Sequence, residues 1–308
     1  MILTLNLNCS LDKIYTVDDL PHGGVARAKT LQNTAGGKGL HIANICAILG
    51  EDYVVTGFLG GHTGAMIREI LDARHMHHDF VPIAGETRSC INIGTPNGKQ
   101  TEVLEKGPDI SAAEREAFLK KYEELLEKAD IIVGSGSLPQ GLEISFYTEL
   151  IEMARRKKKK FLLDTSGATL KESLAAKPFL IKPNQDEIEM LLQKKVSSLA
   201  DAAESVRHFL DMGILMPVVS LGKNGAAVGW QGDVYHAMPP VCSVVNAVGS
   251  GDAFVAGMAI GLSRELPFTD ILRLGSACGA ANVLEKESGF VRQENVEKIA
   301  GDIQIKKL

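Results

Sequence analysis

The chain has no Cys-x-x-Cys pair. Its five cysteines, Cys9, Cys46, Cys90, Cys242 and Cys278, are odd in number and widely spaced. That argues against a disulfide framework or a structural zinc site and fits a reducing compartment. Long apolar runs are also missing: the most apolar stretch, Phe254 to Leu262, is far too short to cross a bilayer. The opening segment, Met1 to Leu7, reads as a strand and has neither the charged start nor the apolar length of a signal peptide. The expected location is therefore the cytoplasm, with no membrane partner. Positive charge is not in excess either. A net charge of −5 argues against a chain-wide nucleic-acid footprint, while leaving room for a basic pocket around an anionic substrate. There is no Gly-Lys-Ser/Thr P-loop and no early Gly-x-Gly-x-x-Gly fingerprint. No repeat, low-complexity tract or Pro/Gly/Ser-rich linker divides the 308 residues, which favours one large domain spanning 1–308.

What is present is an alternation of short apolar runs with longer amphipathic ones. Strands are predicted at Ile2–Leu7, Val54–Leu59, Ile131–Ser135, Phe161–Asp164, Phe179–Lys182 and Val218–Leu221. Their nearly continuous apolar character suits a parallel sheet buried on both faces. Helices are predicted at Lys38–Leu49, Gly64–Arg74, Ser111–Lys128, Ser145–Lys158, Gln185–Leu192 and Leu199–Met212. Ser111 followed by Glu114 is a capping-box start. The alternation implies βαβ units in a three-layer α/β fold. Two segments break the rhythm, about 11–33 and 87–104, the second with Pro96-Asn97-Gly98 between two strand-like runs. Asn-Gly there is a hairpin signal, and both segments read as a small β-sheet flap. The basic run Arg155–Lys160 reads as a solvated helix end, where cations suit the helix dipole.

Four segments carry chemistry-bearing residues. In Asn246-Ala-Val-Gly-Ser-Gly-Asp252 a glycine-rich turn feeds an apolar helix. Gly249 and Gly251 permit positive φ and close approach of backbone N–H groups, and the helix start favours phosphate oxygens. Asp252 at that start either caps the helix or accepts a proton from a substrate hydroxyl. In Ala35-Gly-Gly-Lys-Gly-Leu-His-Ile-Ala-Asn44 the glycines strip side chains from a helix start and leave Lys38 as a point charge, which suits a polyol or a phosphate; a plain turn is the alternative. In Lys182-Pro-Asn-Gln-Asp-Glu187, Asn184 and Glu187 share a helix face. They read either as oxygen groups near Mg²⁺ or as an N-cap with its third-position partner. Ser220-Leu-Gly-Lys-Asn-Gly-Ala226 follows a strand and either wraps a nucleotide or is an ordinary turn. Further pieces are Asp12, Glu86-Thr87-Arg88 and Gly134-Ser-Gly-Ser-Leu-Pro-Gln-Gly141. The last lies at a strand's C-terminal end, where open α/β sheets bind ligands.

The order of these segments along the chain, from Asp12 to Asn282, resembles the ribokinase/PfkB carbohydrate kinase family. Within it, Gly85-Glu-Thr-Arg88, Gln100-Thr-Glu-Val-Leu-Glu-Lys-Gly-Pro108, Leu163-Asp-Thr-Ser-Gly-Ala168 and the Asn246 form of the glycine-rich motif are similar to the branch of 1-phosphofructokinase and tagatose-6-phosphate kinase. The resemblance implies a ribokinase-like three-layer α/β sandwich with a mostly parallel central sheet and a small β-sheet lid. It implies Asp252 as catalytic base, with Gly249, Ser250 and Gly251 as the anion hole. Asp12, Gly37, Lys38, Asn44 and Ser137 match substrate contacts, and Arg27, Lys29 and Arg88 look like a grip on the substrate's own phosphate. Lys182, Asn184, Ser220, Gly222, Gly225 and Asn282 match nucleotide contacts, with Glu187 linked to Mg²⁺ through water. Three positions depart from the pattern: Asn246 stands where many relatives have Asp, Ala247 where the branch usually has Pro, and Cys9 where Pro usually follows Asn8.

The expected activity is transfer of the γ-phosphoryl group of MgATP to a ketohexose monophosphate, either tagatose 6-phosphate or fructose 1-phosphate. A homodimer through the flap is expected from its unpaired sheet edges. Two alternatives remain open at this point: a kinase of an unphosphorylated sugar or nucleoside, and a non-catalytic sugar- or nucleotide-binding regulator.

Overall fold

In the computed structural model, which describes residues 1–96, 98 and 100–308, fourteen described strands and ten described α-helices alternate through most of the chain. The strands are β1 (Ile2–Asn6), β2 (Ser10–Thr16), β3 (Thr30–Gly36), β4 (Tyr53–Gly60), β5 (Val81–Ile83), β6 (Arg88–Gly94), β7 (Gln100–Leu104), β8 (Ile131–Ser135), β9 (Lys160–Asp164), β10 (Leu180–Ile181), β11 (Met216–Ser220), β12 (Ala226–Trp230), β13 (Asp233–Met238) and β14 (Gln304–Lys307). The helices are α1 (Lys38–Ile48), α2 (Gly61–Ala73), α3 (Ala112–Leu126), α4 (Phe146–Arg156), α5 (Gly167–Ser173), α6 (Gln185–Leu192), α7 (Leu199–Asp211), α8 (Ser250–Ser263), α9 (Phe268–Asn282) and α10 (Gln293–Asp302).

Ten strands form one sheet in the order β14-β13-β12-β11-β10-β9-β8-β1-β4-β5. From β11 to β5 every pairing is parallel, while β11 to β14 pair antiparallel. The sheet is sandwiched because its strands are apolar on both faces. Along β1, Ile2 joins one hydrophobic cluster while Leu3 and Leu5 join the other, following the two-residue period of a strand. The first cluster takes in α1, α2, α8, α9 and α10; the second takes in α3, α4 and α7. All six predicted strands and all six predicted helices are present, with shifts of a few residues at their ends. The capping box at Ser111 forms, with its hydroxyl accepting from the Glu114 N–H. The basic run ends α4 as expected, and its Lys157 and Lys159 pair with Glu127 and Asp130.

The antiparallel edge, β12 to β14, leaves the sheet mostly parallel, as expected. β14 carries polar residues at three of its four positions, because an edge strand has one face in water. The small sheet forms in the order β3-β2-β6-β7. It extends the expected flap by three residues, to Gly36, because β3 pairs with β2 along its whole length. The β6–β7 hairpin is antiparallel, and Asn97, the residue on which its turn was expected, lies outside the described residues. Among the described residues no helix is long and apolar enough to cross a membrane.

Candidate active site

The strand order reverses at β1: the chain runs to β4 and β5 on one side, then returns to β8 and proceeds through β9, β10 and β11 on the other. Ligand crevices of open α/β sheets lie beyond the strands' C-terminal ends at such a reversal. A cavity of about 800 Å³ opens there, lined by Asn6 and Asn8 at and after the end of β1, Ser135 to Ser137 at and after the end of β8, and Thr165 and Ser166 after β9. The small sheet supplies another wall, and pleat register selects which of its residues take part. Asp12 stands opposite Thr34 and Cys90, and Cys90 opposite Leu104; Ile14 stands opposite Gln32 and Asn92, and Asn92 opposite Glu102. Both rows line the cavity. Leu31 and Val103, one residue out of step, are exposed and do not, whereas Ile91, paired with Val103, does.

Two helix starts meet at this place. Gly249 precedes α8 with φ 84°, and a Cβ there would lie 2.7 Å from the Gly289 nitrogen, so both conformation and space call for glycine. The Asn246 side chain closes the turn. Its Oδ1 accepts from Val248 N–H at 3.0 Å, and its Nδ2 donates to the Lys286 carbonyl at 3.1 Å. The first N–H groups of α8 have no intrahelical acceptor; that of Ser250 reaches the Ala247 carbonyl only at 3.3 Å, and with that of Gly251 it suits an anion. Asp252 is buried in that first turn, with Oδ2 2.7 Å from Nδ1 of His41 on α1. At the start of α1, a Cβ on Gly36 would fall 2.2 Å from the Asp12 carboxyl group, and Gly37 sits at φ 115° against the Asn6 side chain. Burial raises the Asp12 carboxyl above its ordinary value, only partly offset by the Ser10 hydroxyl donating to it at 2.6 Å.

Charge concentrates on Asp164, at the end of β9. Lys38 Nζ lies 3.2 Å from one of its oxygens and Lys182 Nζ 3.2 Å from the other. Burial pushes the Asp164 carboxyl up, but the two ammonium groups more than reverse this and hold it below the usual range. Lys38 is raised, because the charges of Asp164 and Asp252 outweigh its own desolvation. A Cβ on Gly251 would lie 3.1 Å from Lys182 Nζ, which puts that cation beside the first turn of α8.

The remaining expected residues divide. Arg88 lines the cavity and donates from Nε and Nη2 to the Asn8 carbonyl at 3.2 and 2.9 Å, and from Nη1 to the Glu105 carbonyl at 2.9 Å. A guanidinium has five N–H donors, so two are left for a ligand. Ser137 accepts from Asn8 Nδ2 at 3.1 Å, and Asn44 donates to the Gly289 carbonyl at 2.9 Å; both line the cavity. Arg27 and Lys29 do not. Both are exposed on the segment joining β2 to β3, and Lys29 pairs with Asp18. Asn184 and Glu187 form a full capping box on α6, each accepting from the other's N–H at 2.9 Å. A backbone bridge joins Asn184 to Ser220, which brings that motif beside the turn bearing Gly222 (φ 56°) and Gly225 (φ 83°). Asn282 is fully buried. Its amide holds the Val248 carbonyl at 3.4 Å and the Gly289 N–H at 3.2 Å, so it braces the α8 turn instead of facing a ligand.

Two residues of the site escaped sequence reasoning. His41 sits inside the glycine-rich motif but was read only as part of it; its signal was a polar side chain at the start of an otherwise apolar helix. Asp164 ends an apolar strand, a position where a carboxylate is costly unless paired.

Solved structures share this architecture. Phosphofructokinase-2 from Escherichia coli, in complex with potassium, superposes with a TM-score of 0.91 at 26% identity over 98% of each chain. A candidate phosphofructokinase from Staphylococcus aureus gives 0.87 at 28% identity, over 100% of this chain and 99% of its own. A candidate 1-phosphofructokinase from Thermotoga maritima gives 0.89 at 25% identity, over 100% of this chain and 99% of its own. The fold is thus the ribokinase-like one that the motif order implied. The model of the pfkB family carbohydrate kinases matches residues 6–295. With a glycine-turned helix start, a buried carboxylate in its first turn and two lysines converging beside it, the chain belongs to the pfkB family of carbohydrate kinases, phosphotransferases that act on an alcohol group.

Proposed function

We propose that the protein transfers the γ-phosphoryl group of ATP to a primary hydroxyl of a ketohexose monophosphate, giving the 1,6-bisphosphate. The observation that carries this reading is the convergence of Lys38 and Lys182 on Asp164 beside the Gly249–Asp252 turn. Phosphoryl transfer asks of a protein mainly positioning and charge stabilisation. In this reading Asp252 accepts the proton of the attacking hydroxyl, and the N–H groups of Ser250 and Gly251 hold the transferring oxygens. Lys38 and Lys182 add positive charge there. Arg88, with two donors left, grips the substrate's own phosphate. The small sheet closes over the sugar and excludes water.

The nucleotide side is proposed around Asn184, Ser220, Gly222 and Gly225. Among the described residues no three His, Cys, Asp or Glu side chains gather to cage a metal. This suits Mg²⁺, which keeps several waters and takes one or two carboxylates plus substrate phosphates. Glu187 fits as such a carboxylate: only its Oε2 is engaged in the cap, and its charge is felt at Lys38. Bound there, Mg²⁺ would offset charge on the β- and γ-phosphates. A homodimer through the small sheet is part of the proposal, supported by the exposed Leu31 and Val103, which do not line the cavity.

The substrate is proposed as fructose 1-phosphate or tagatose 6-phosphate. A phosphofructokinase-2 structure from E. coli is in complex with fructose 6-phosphate, which makes that sugar the natural competitor. The test is ADP release measured side by side on the three sugar phosphates and on free fructose and tagatose. The proposal requires one of the first two phosphates to give the highest kcat/KM. A preference for a free ketose or for fructose 6-phosphate overturns the assignment of substrate, and no ADP release above the ATP-only rate overturns the reading as a kinase.

A further inference from the structure

The contact between His41 and Asp252 is short, buried and made by two helix starts that the fold holds rigidly together. His41 Nδ1 and Asp252 Oδ2 are 2.7 Å apart, with side chains 18% and 7% exposed. Among the described residues no donor reaches the other carboxylate oxygen, Oδ1. The ring has little freedom to leave. A Cβ on Gly289 would fall 2.4 Å from His41 Cβ, so the backbone at 289 packs directly on the histidine. That backbone is fastened on both sides, by Asn44 to its carbonyl and by Asn282 to its N–H. His41 also lines the cavity. It therefore touches both Asp252 and the cavity.

We propose that His41 is a positioning residue, which clamps one oxygen of the Asp252 carboxylate so that the other faces the accepting hydroxyl, and which supplies an imidazolium charge to the transfer. The inference rests on the reading of Asp252 as the base. A carboxylate on one Cβ can rotate, and a hydrogen bond from a wedged ring fixes its plane before substrate arrives. The charge matters because the site must receive two anions, the nucleotide's phosphates and the sugar's own.

The groups facing His41 are Asp252 from α8, Asp12 from β2 and Glu287 from the segment before α10; Lys38, on its own helix, is paired with Asp164. Burial alone would push the imidazole down. The hydrogen bond to Asp252 and the charges of Asp252, Asp12 and Glu287 more than offset it and leave the imidazole above its ordinary value. Glu287 is itself paired with Arg74 at 2.9 Å, so Asp252 is the dominant partner. As pH rises through that elevated value the ring loses its charge but keeps an N–H to donate, so turnover should fall without collapse of the site.

Three measurements test this. The first is an NMR titration of the His41 ring in the whole protein, wild type and Asp252→Asn, which needs no substrate. The resonance should titrate above about 6.5, the free imidazole value, and move down in the variant. Identical titration in both proteins overturns the proposal whatever the substrate proves to be. The second is the pH profile of kcat/KM for His41→Asn, which keeps a donor and cannot titrate. It should lose the alkaline limb that wild type shows above the ring's measured value; retention of that limb overturns the charge role. The third is His41→Leu, with kcat expected to fall about tenfold or more from loss of a charge-assisted hydrogen bond, and KM to change far less. Wild-type kcat in a folded His41→Leu overturns the clamp. If wild type phosphorylates none of the sugars offered, the kinase reading fails while the NMR result still decides the pair.

Discussion

Replacing Asp164 with Asn keeps the shape of the side chain and deletes a buried charge held between two lysines. The side chains of Asp164 and Lys182 are 1% and 6% exposed, whereas Lys38 is 42% exposed. After the substitution Lys38 can turn to water and contributes little, as exposed pairs do. Lys182 cannot, and is left as an uncompensated buried cation. Removing one partner of a buried pair costs about 3–5 kcal/mol, and the lower end fits here because the second cation on Asp164, Lys38, is half-exposed. For a chain of this size each kcal/mol moves Tm by roughly 2 °C, so the loss should be about 6 °C by calorimetry. The pH dependence checks the sign. The folded Asp164 carboxyl is held below its unfolded value of about 3.9. Its stabilising effect is therefore present above that value and is lost as pH falls through the lower folded one. Wild type and Asp164→Asn should differ most near neutrality and converge in acid. In the double variant with Lys182→Met neither charge remains, so the two losses should not add, and the coupling should be about 2 kcal/mol or more. A Tm within 1 °C of wild type for the single variant, or strict additivity in the cycle, would refute the argument.

Asp252→Asn should fold normally and lose about 10²–10⁴-fold in turnover, the usual cost of deleting a general base; stopped-time ADP assays check this, and activity within a few-fold of wild type would remove Asp252 from the chemistry. Arg88→Ala should lose about tenfold or more in kcat/KM on sugar phosphates and almost nothing on free ketoses, since charged hydrogen bonds contribute roughly 1.5–3 kcal/mol each. An equal loss on both would make Arg88 only the brace for Asn8 and Glu105 that its present bonds describe. Glu187→Gln should hardly change Tm, because Gln also completes a capping box, yet raise the Mg²⁺ needed for half-maximal rate; superimposable magnesium titrations would leave Glu187 as a cap alone. Gly36→Ala should cut kcat/KM severely by displacing the Asp12 carboxyl group, which lies 2.2 Å from the new methyl position; a normal sugar KM would show that Asp12 is not a substrate contact.

The sequence disclosed the central strands because burial on both faces leaves a compositional trace. Ile131–Ser135 is apolar until its last residues and was bounded correctly at both ends. Helix starts were legible where their chemistry is local: Ser111 with Glu114, and Asn184 with Glu187, are pairs whose bonds close within four residues. β14 was not legible, because Gln304–Lys307 has no apolar run and becomes a strand only by pairing with β13, some seventy residues earlier. The same distinction separates the two readings of the Asn184 motif. Its cap is a local fact, whereas a role near phosphates depends on Ser220, which the sheet brings beside it.

Within the candidate site, the glycines, Lys38, Lys182 and Asp252 announced themselves, and the carboxylate that joins the two lysines did not. Gly249, Gly37 and Gly225 sit at positive φ, and backbone geometry of that kind is written into residue type. Asp164, by contrast, is one acidic residue among many until β9 ends beside β8 and β10 and two lysines, 126 residues before it and 18 after it, arrive on its two oxygens. The misplacement of Asn282 has the same origin. A motif supplies a residue's neighbourhood along the chain and nothing more. Whether the amide faces ligand or backbone is decided by the loop at 286–289 returning over α8, and here Gly289 takes the acceptor first. A pairing that spans helices, such as His41 with Asp252, can therefore be found only once the fold is known, although each partner stood in a motif already singled out.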